Sequence, residues 1–127
     1  MLRMLRLQWV VLAAMLWLPG GAHAHAHHAA QNVHAGLVTI RKTELPPEAL
    51  DTLRAIKNGG PFAYPRDGVV FGNFERILPK HPRGYYHEYT VKTPWTHGRG
   101  ARRIISGGSA GYFYTADHYQ TFKRILE

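Results

Sequence analysis

A single helical segment, fenced by prolines at its start and glycines at its end and followed by short strands separated by turns, constrains this chain more than any other feature. Leu45-Pro46-Pro47-Glu48 places prolines where a helix begins without losing a needed N–H, and puts an acid in the first turn to suit the dipole. Leu50, Leu53 and Ile56 follow at helical spacing, and Asn58-Gly59-Gly60 ends the run. Beyond Pro61 the period changes. Arg66-Asp67-Gly68 turns into Val69-Val70-Phe71, Tyr85 to Val91 alternates, and Arg102 to Ser106 carries Ile104 and Ile105. Gly107-Gly108 and Gly111 punctuate before Tyr112 to Thr115, and Tyr119 to Leu126 supplies a last strand. One helix followed by consecutive strands predicts an α+β fold, with that helix packed on an antiparallel sheet.

The chain has 127 residues, and its start reads as a targeting segment. Arg3 and Arg6 precede an apolar run from Leu7 to Leu18, which Pro19-Gly20-Gly21 breaks ahead of Ala22-His23-Ala24. This is the pattern of a secretory signal peptide over residues 1–24, too short for a comfortable membrane span. Export to the extracellular space without a membrane anchor follows as an expectation. Residues 25–40 read as an Ala- and His-rich disordered leader, and residues 41–127 as one domain with one modest core. His23, His25, His27, His28 and His34 are competent ligands for Zn or Cu, but no Cys, Asp or Glu lies among them to fix a geometry, so a solvated tail is the simpler reading.

With Arg3 and Arg6 removed from the sixteen Lys and Arg, fourteen cations face eight acids, a formal charge of +6. That surplus favours polyanions: RNA, DNA, acidic polysaccharide or an anionic membrane surface. There is no cysteine, so packing and the aromatics must supply the stability that disulfides often give small exported domains.

In Tyr85-Tyr86-His87-Glu88-Tyr89-Thr90-Val91, strand alternation puts Tyr86, Glu88 and Thr90 on one face and His87 on the other. The same parity puts Arg99 and Arg103 on a shared face if their strand is continuous. Two guanidiniums beside a carboxylate form a candidate phosphate site, although parity alone favours an ordinary cross-strand Glu–Arg pair. Asp117-His118-Tyr119 adds a histidine able to donate a proton near neutrality. His81, His87 and His97 have no comparable setting, and no His-x-x-x-His spacing supplies a metal site with His118 and Glu88.

Five blocks carry a resemblance: Leu45-Pro46-Pro47-Glu48, Asp67 to Phe71, Tyr85 to Val91, Arg99 to Ile105 and Tyr114 to Tyr119. In this order they resemble the barnase-like bacterial guanyl-specific ribonucleases, above all the secreted streptomycete branch. The resemblance spans about Leu45 to Phe122. It implies a microbial ribonuclease fold and a metal-independent endoribonuclease that needs no cofactor. Glu88 matches the family's general base and His118 its general acid, while Arg99 and Arg103 match its phosphate-binding arginines. Phe71, Asn73, Glu75 and Tyr119 match the guanine site, with the Glu75 carboxylate accepting from the base edge and Phe71 and Tyr119 covering its two faces. The implied partners are RNA and a small acidic inhibitor resembling barstar, and the chain is taken as a monomer.

This sequence departs from the family pattern in three ways. Phe74 stands where arginine is usual, Gly72 is expected to loosen the recognition loop, and the disulfide of the secreted branch cannot form. Two other classes fit export and charge: a non-catalytic RNA-binding module, and a cationic membrane-active protein. The first gives no reason to keep Glu88, Arg103 and His118 together. The second calls for a basic amphipathic helix, whereas residues 46–58 set only Arg54 and Lys57 against Glu48 and Asp51.

Overall fold

The computed structural model describes residues 36–127; the expected signal peptide and most of the leader lie outside the described residues. The first strand, β1 (Val38–Arg41), starts inside the expected leader, so Val38, Thr39 and Ile40 belong to the sheet. Four residues beside a histidine- and alanine-rich run give a weak strand signal of their own; β1 exists by pairing in parallel with the last strand, Ile40 against Ile125.

The helix α1 (Pro47–Asn58) begins and ends where its punctuation predicts. Pro46 caps it with extended backbone, and Gly59 at φ 76° closes it in the left-handed conformation, its N–H donating to Ile56 O. Five further strands follow: β2 (Val69–Phe71), β3 (Tyr86–Thr90), β4 (Arg103–Gly107), β5 (Gly111–Thr115) and β6 (Lys123–Leu126). They form one sheet in the order β1-β6-β5-β4-β3-β2, antiparallel except at β1–β6. The α+β expectation holds, with β6 shorter than its sequence suggests, since residues 119 to 122 form a turn and its exit.

Strand alternation divides the core in two. Leu45, Ala49 and Leu53 from α1 and the segment before it pack on Val91, Ile104, Tyr114 and Ile125. The opposite face holds a second cluster, Leu78, Tyr86, Ile105, Phe113 and Phe122. β4 is buried on both sides, which is why Arg103, Ile104 and Ile105 are consecutive buried residues. The register sets Glu88 opposite Ile105 and Thr90 opposite Arg103, so these polar groups share the face turned away from α1.

Candidate active site

Glu88 lies mid-strand in β3 and is only 8% exposed. Its Oε2 accepts a hydrogen bond from the Tyr119 hydroxyl at 2.8 Å, and its Oε1 lies 3.7 Å from Arg99 Nη2. A carboxylate removed from water needs such partners, and here it has a neutral donor and a cation. His87 faces the other way, its Nδ1 2.9 Å from Gly68 O.

The two arginines reach this face by different routes. β4 starts only at Arg103, so the continuous strand that would carry both does not form. Arg99 sits in the preceding loop and is aimed by Thr90, whose Oγ1 accepts from both Nε at 3.1 Å and Nη2 at 3.0 Å. Arg103 is 2% exposed; its Nη1 donates to Gly100 O and Arg102 O, while its Nε has no partner among the described residues. Its guanidinium lies 6.0 Å from the Tyr119 ring centre. A buried cation with an unspent donor is costly alone and favours an anion beside it.

His118 is exposed, on a turn between β5 and β6, at φ 54°, and Tyr119 follows at φ 73°. Consecutive left-handed residues with side chains are strained and persist only where neighbours hold them. Here Thr115 and Asp117 do so. Thr115 Oγ1 donates to Asp117 Oδ1 and accepts from Tyr119 N–H, Thr121 donates to both Asp117 oxygens, and His118 N–H bonds Ala101 O at 3.1 Å. The Thr121 bonds, aided by Thr115, hold the Asp117 carboxyl below its ordinary range. The Tyr119 phenol is pushed up, first by burial and then by the Glu88 carboxylate.

Beside Glu88 a cleft of about 300 Å³ is lined by Phe71, Asn73, Phe74, Glu75 and Tyr119, so the structure brings the expected base-binding residues to one place. Two expectations change in detail. Phe71 and Tyr119 are 5.2 Å apart between ring centres, whereas a base held between them would need about 7 Å, two van der Waals gaps. They cover each other and form one wall. Asn73, at φ 50°, turns its side chain inward, donating to Leu78 O and accepting from Leu78 N–H, which closes the recognition loop. The exposed Phe74 ring folds back over Gly72, so a Cβ there would come 2.5 Å from it and turn the ring aside. Phe74 itself is 85% exposed, and Glu75 is exposed at the cleft.

A family model described as ribonuclease matches residues 28–126. The chain belongs to the ribonuclease family. Guanyl-specific ribonuclease St of Saccharopolyspora erythraea is 55% identical over 92 residues, spanning 72% of this chain and 91% of that protein. Guanyl-specific ribonuclease Sa of Kitasatospora aureofaciens is 54% identical over 88 residues, spanning 68% of this chain and 92% of its own. Ribonuclease Sa2, solved in complexes with mononucleotides, superposes with a TM-score of 0.71 at 48% identity, covering 72% of this chain and 96% of that one.

In this ribonuclease, sequence reasoning missed the residues that hold the candidates in place: Thr90 under Arg99, and Thr115, Asp117 and Thr121 under the His118 turn. Asp117-x-x-x-Thr121 was legible as a local side-chain-to-backbone pattern. Thr90 was not, because its partner comes from a loop that only the folded sheet brings near.

Proposed function

We propose that this ribonuclease is a secreted, guanyl-preferring endoribonuclease that cleaves single-stranded RNA by transphosphorylation to a 2′,3′-cyclic phosphate, followed by hydrolysis. The observation that carries the reading is Glu88: a buried carboxylate between the Tyr119 hydroxyl and Arg99, on the border of a base-sized aromatic cleft that Glu75 also lines. Glu88 takes the proton of the ribose 2′-hydroxyl as that oxygen bonds to the adjacent phosphorus. The P–O5′ bond breaks, and His118 gives its proton to the departing 5′-oxygen. Water then opens the cyclic ester with the two roles reversed. Arg103, with its unpaired Nε, and Arg99 stabilise charge on the phosphoryl oxygens. DNA lacks the attacking hydroxyl and is not a substrate.

Glu75 accepts from the N1 and N2 donors of guanine, and adenine, without a donor at N1, would leave it unpaired. The relatives named guanyl-specific support the base preference. Asn73 serves through its inward amide, which holds the loop backbone in shape. Incubating an oligoribonucleotide in excess chelator and identifying the termini tests this directly: cuts should follow G, leave cyclic phosphate ends and survive the chelator. Equal cutting after all four bases, or activity that returns only with added Zn or Mg, would refute it. The reading includes export, a monomeric state and a small acidic inhibitor resembling barstar in the producing cell, which the net basic charge would attract.

A further inference from the structure

Neither the base cleft nor the acid–base pair uses the most exposed aromatic of the described residues. Trp95 is 99% exposed, on the loop between β3 and β4, and its φ is 63°. A left-handed φ is unfavourable for a bulky side chain, and an indole wholly in water contributes nothing to the core. Fold stability therefore gives no account of Trp95. The loop that displays it is nevertheless well tethered. Thr96 N–H bonds Thr93 O at 3.3 Å, Arg102 Nε bonds Thr93 Oγ1 at 3.1 Å, and the Arg99–Thr90 bonds fasten its far end beside Glu88.

Charge says what this loop can meet. From Tyr89 to Ala116 there is no acidic residue, while Lys92, Arg99, Arg102 and Arg103 fall in that span. Arg102 is offset by Glu48 at 3.6 Å; Lys92 is exposed. An aromatic ring displayed on a loop without acids suits a single-strand binding surface, in which bases stack and phosphates are not repelled. Position gives direction. Phe71, on the wall of the base cleft, pairs with Tyr86, Glu88 follows two residues on, and Thr90 with Arg99 comes next. The chain stays extended to Val91, whose N–H bonds Arg102 O, so the loop starts about 10 Å past Glu88 on the side away from the cleft.

We infer that Trp95 is the stacking platform of a second RNA subsite, which takes an unpaired base beyond the first nucleotide on the 3′ side of the cleaved bond. This rests on the reading that guanosine occupies the cleft and its 3′-phosphate meets Glu88. A strand crossing from the cleft over Glu88 toward Thr90 passes the scissile phosphate and continues to the loop.

The test compares kcat/KM for GpA, GpApApA and ApApGpA, using the parent protein, Trp95→Ala and Trp95→Gly. Glycine relieves the left-handed φ, so that variant keeps the fold. The parent should cleave GpApApA faster than GpA, and both variants should lose about five- to a hundredfold of that advantage while cleaving GpA at the parent rate. Equal losses on GpA and GpApApA would overturn the subsite, as would no advantage of GpApApA in the parent. A loss confined to ApApGpA would overturn its 3′ assignment. Failure of the parent to cleave GpA at all would instead overturn the guanyl reading beneath it.

Discussion

The two faces of the central strands are built from one alternating sequence yet differ in what they hold. The face under α1 is apolar throughout, with Leu53, Val91 and Ile104 almost wholly buried and no buried charge in the cluster. The opposite face begins the same way, with Phe113, Ile105 and Leu78, but ends in Glu88, Arg103, Thr90 and Thr115, all buried. It also borders the left-handed pair His118 and Tyr119. Buried charges and strained backbone cost stability, whereas well-packed aliphatics supply it. The helix face therefore stabilises the sheet on which the site face can keep groups that a folding optimum would remove.

The sharpest way to break that division is to alter each face separately. Glu88→Gln and His118→Ala should each lower the rate of transphosphorylation by about two to four orders of magnitude, as loss of a general base or acid does. The parent's rate should be bell-shaped in pH, with Glu88→Gln removing the acidic limb and His118→Ala the basic one. His87→Ala, on the other face, should change little. An active His118→Ala enzyme with an unchanged basic limb would move the proton donor elsewhere.

Leu53→Ala should do the reverse. Truncating a fully buried leucine should lower unfolding stability by about 2 to 5 kcal/mol, read by denaturant titration, with base preference intact. A loss of G preference in the folded variant would show that the faces are coupled. Glu75→Ala should lower kcat/KM on GpN substrates by an amount equivalent to about 1 to 3 kcal/mol, with stability unmoved because the side chain is exposed. An unchanged ratio of G to A cleavage would remove Glu75 from the reading.

This division was largely legible before the structure, because parity is a local property. Tyr86, Glu88 and Thr90 had to share a face once the strand existed, and the helix had its ends written in Pro47 and Gly59. What was hidden depended on distant partners. Val38 to Ile40 form a strand only because β6 lies alongside, and Arg99 reaches Glu88 by way of Thr90 rather than by strand continuity. The Phe71–Tyr119 contact was hidden because sequence order cannot give a ring separation.

The smallest expected effect belongs to the turn that carries His118. Hydrogen bonds from Thr121 lower the Asp117 carboxyl below its ordinary value of 3.8; burial opposes them, and the bond from Thr115 adds a smaller lowering. A carboxyl whose folded pKa is depressed contributes stability that is fully present above its unfolded value and is lost as pH falls through the folded one. The window is therefore acidic, below about pH 4. Because the group lies near solvent, the contribution to global unfolding should be slight. The local effect is the sharper measure: Thr121 donates its N–H to Asp117, and Tyr119 donates its N–H to Thr115 in the same network. Amide hydrogen exchange, corrected for the intrinsic pH dependence, should show protection at Thr121 and Tyr119 falling through this window while the amides of α1 keep theirs. Asp117→Asn should remove that pH dependence. Parallel loss of protection in α1 and the turn would mean that the two faces open together, and the division drawn between them would fail at its most local test.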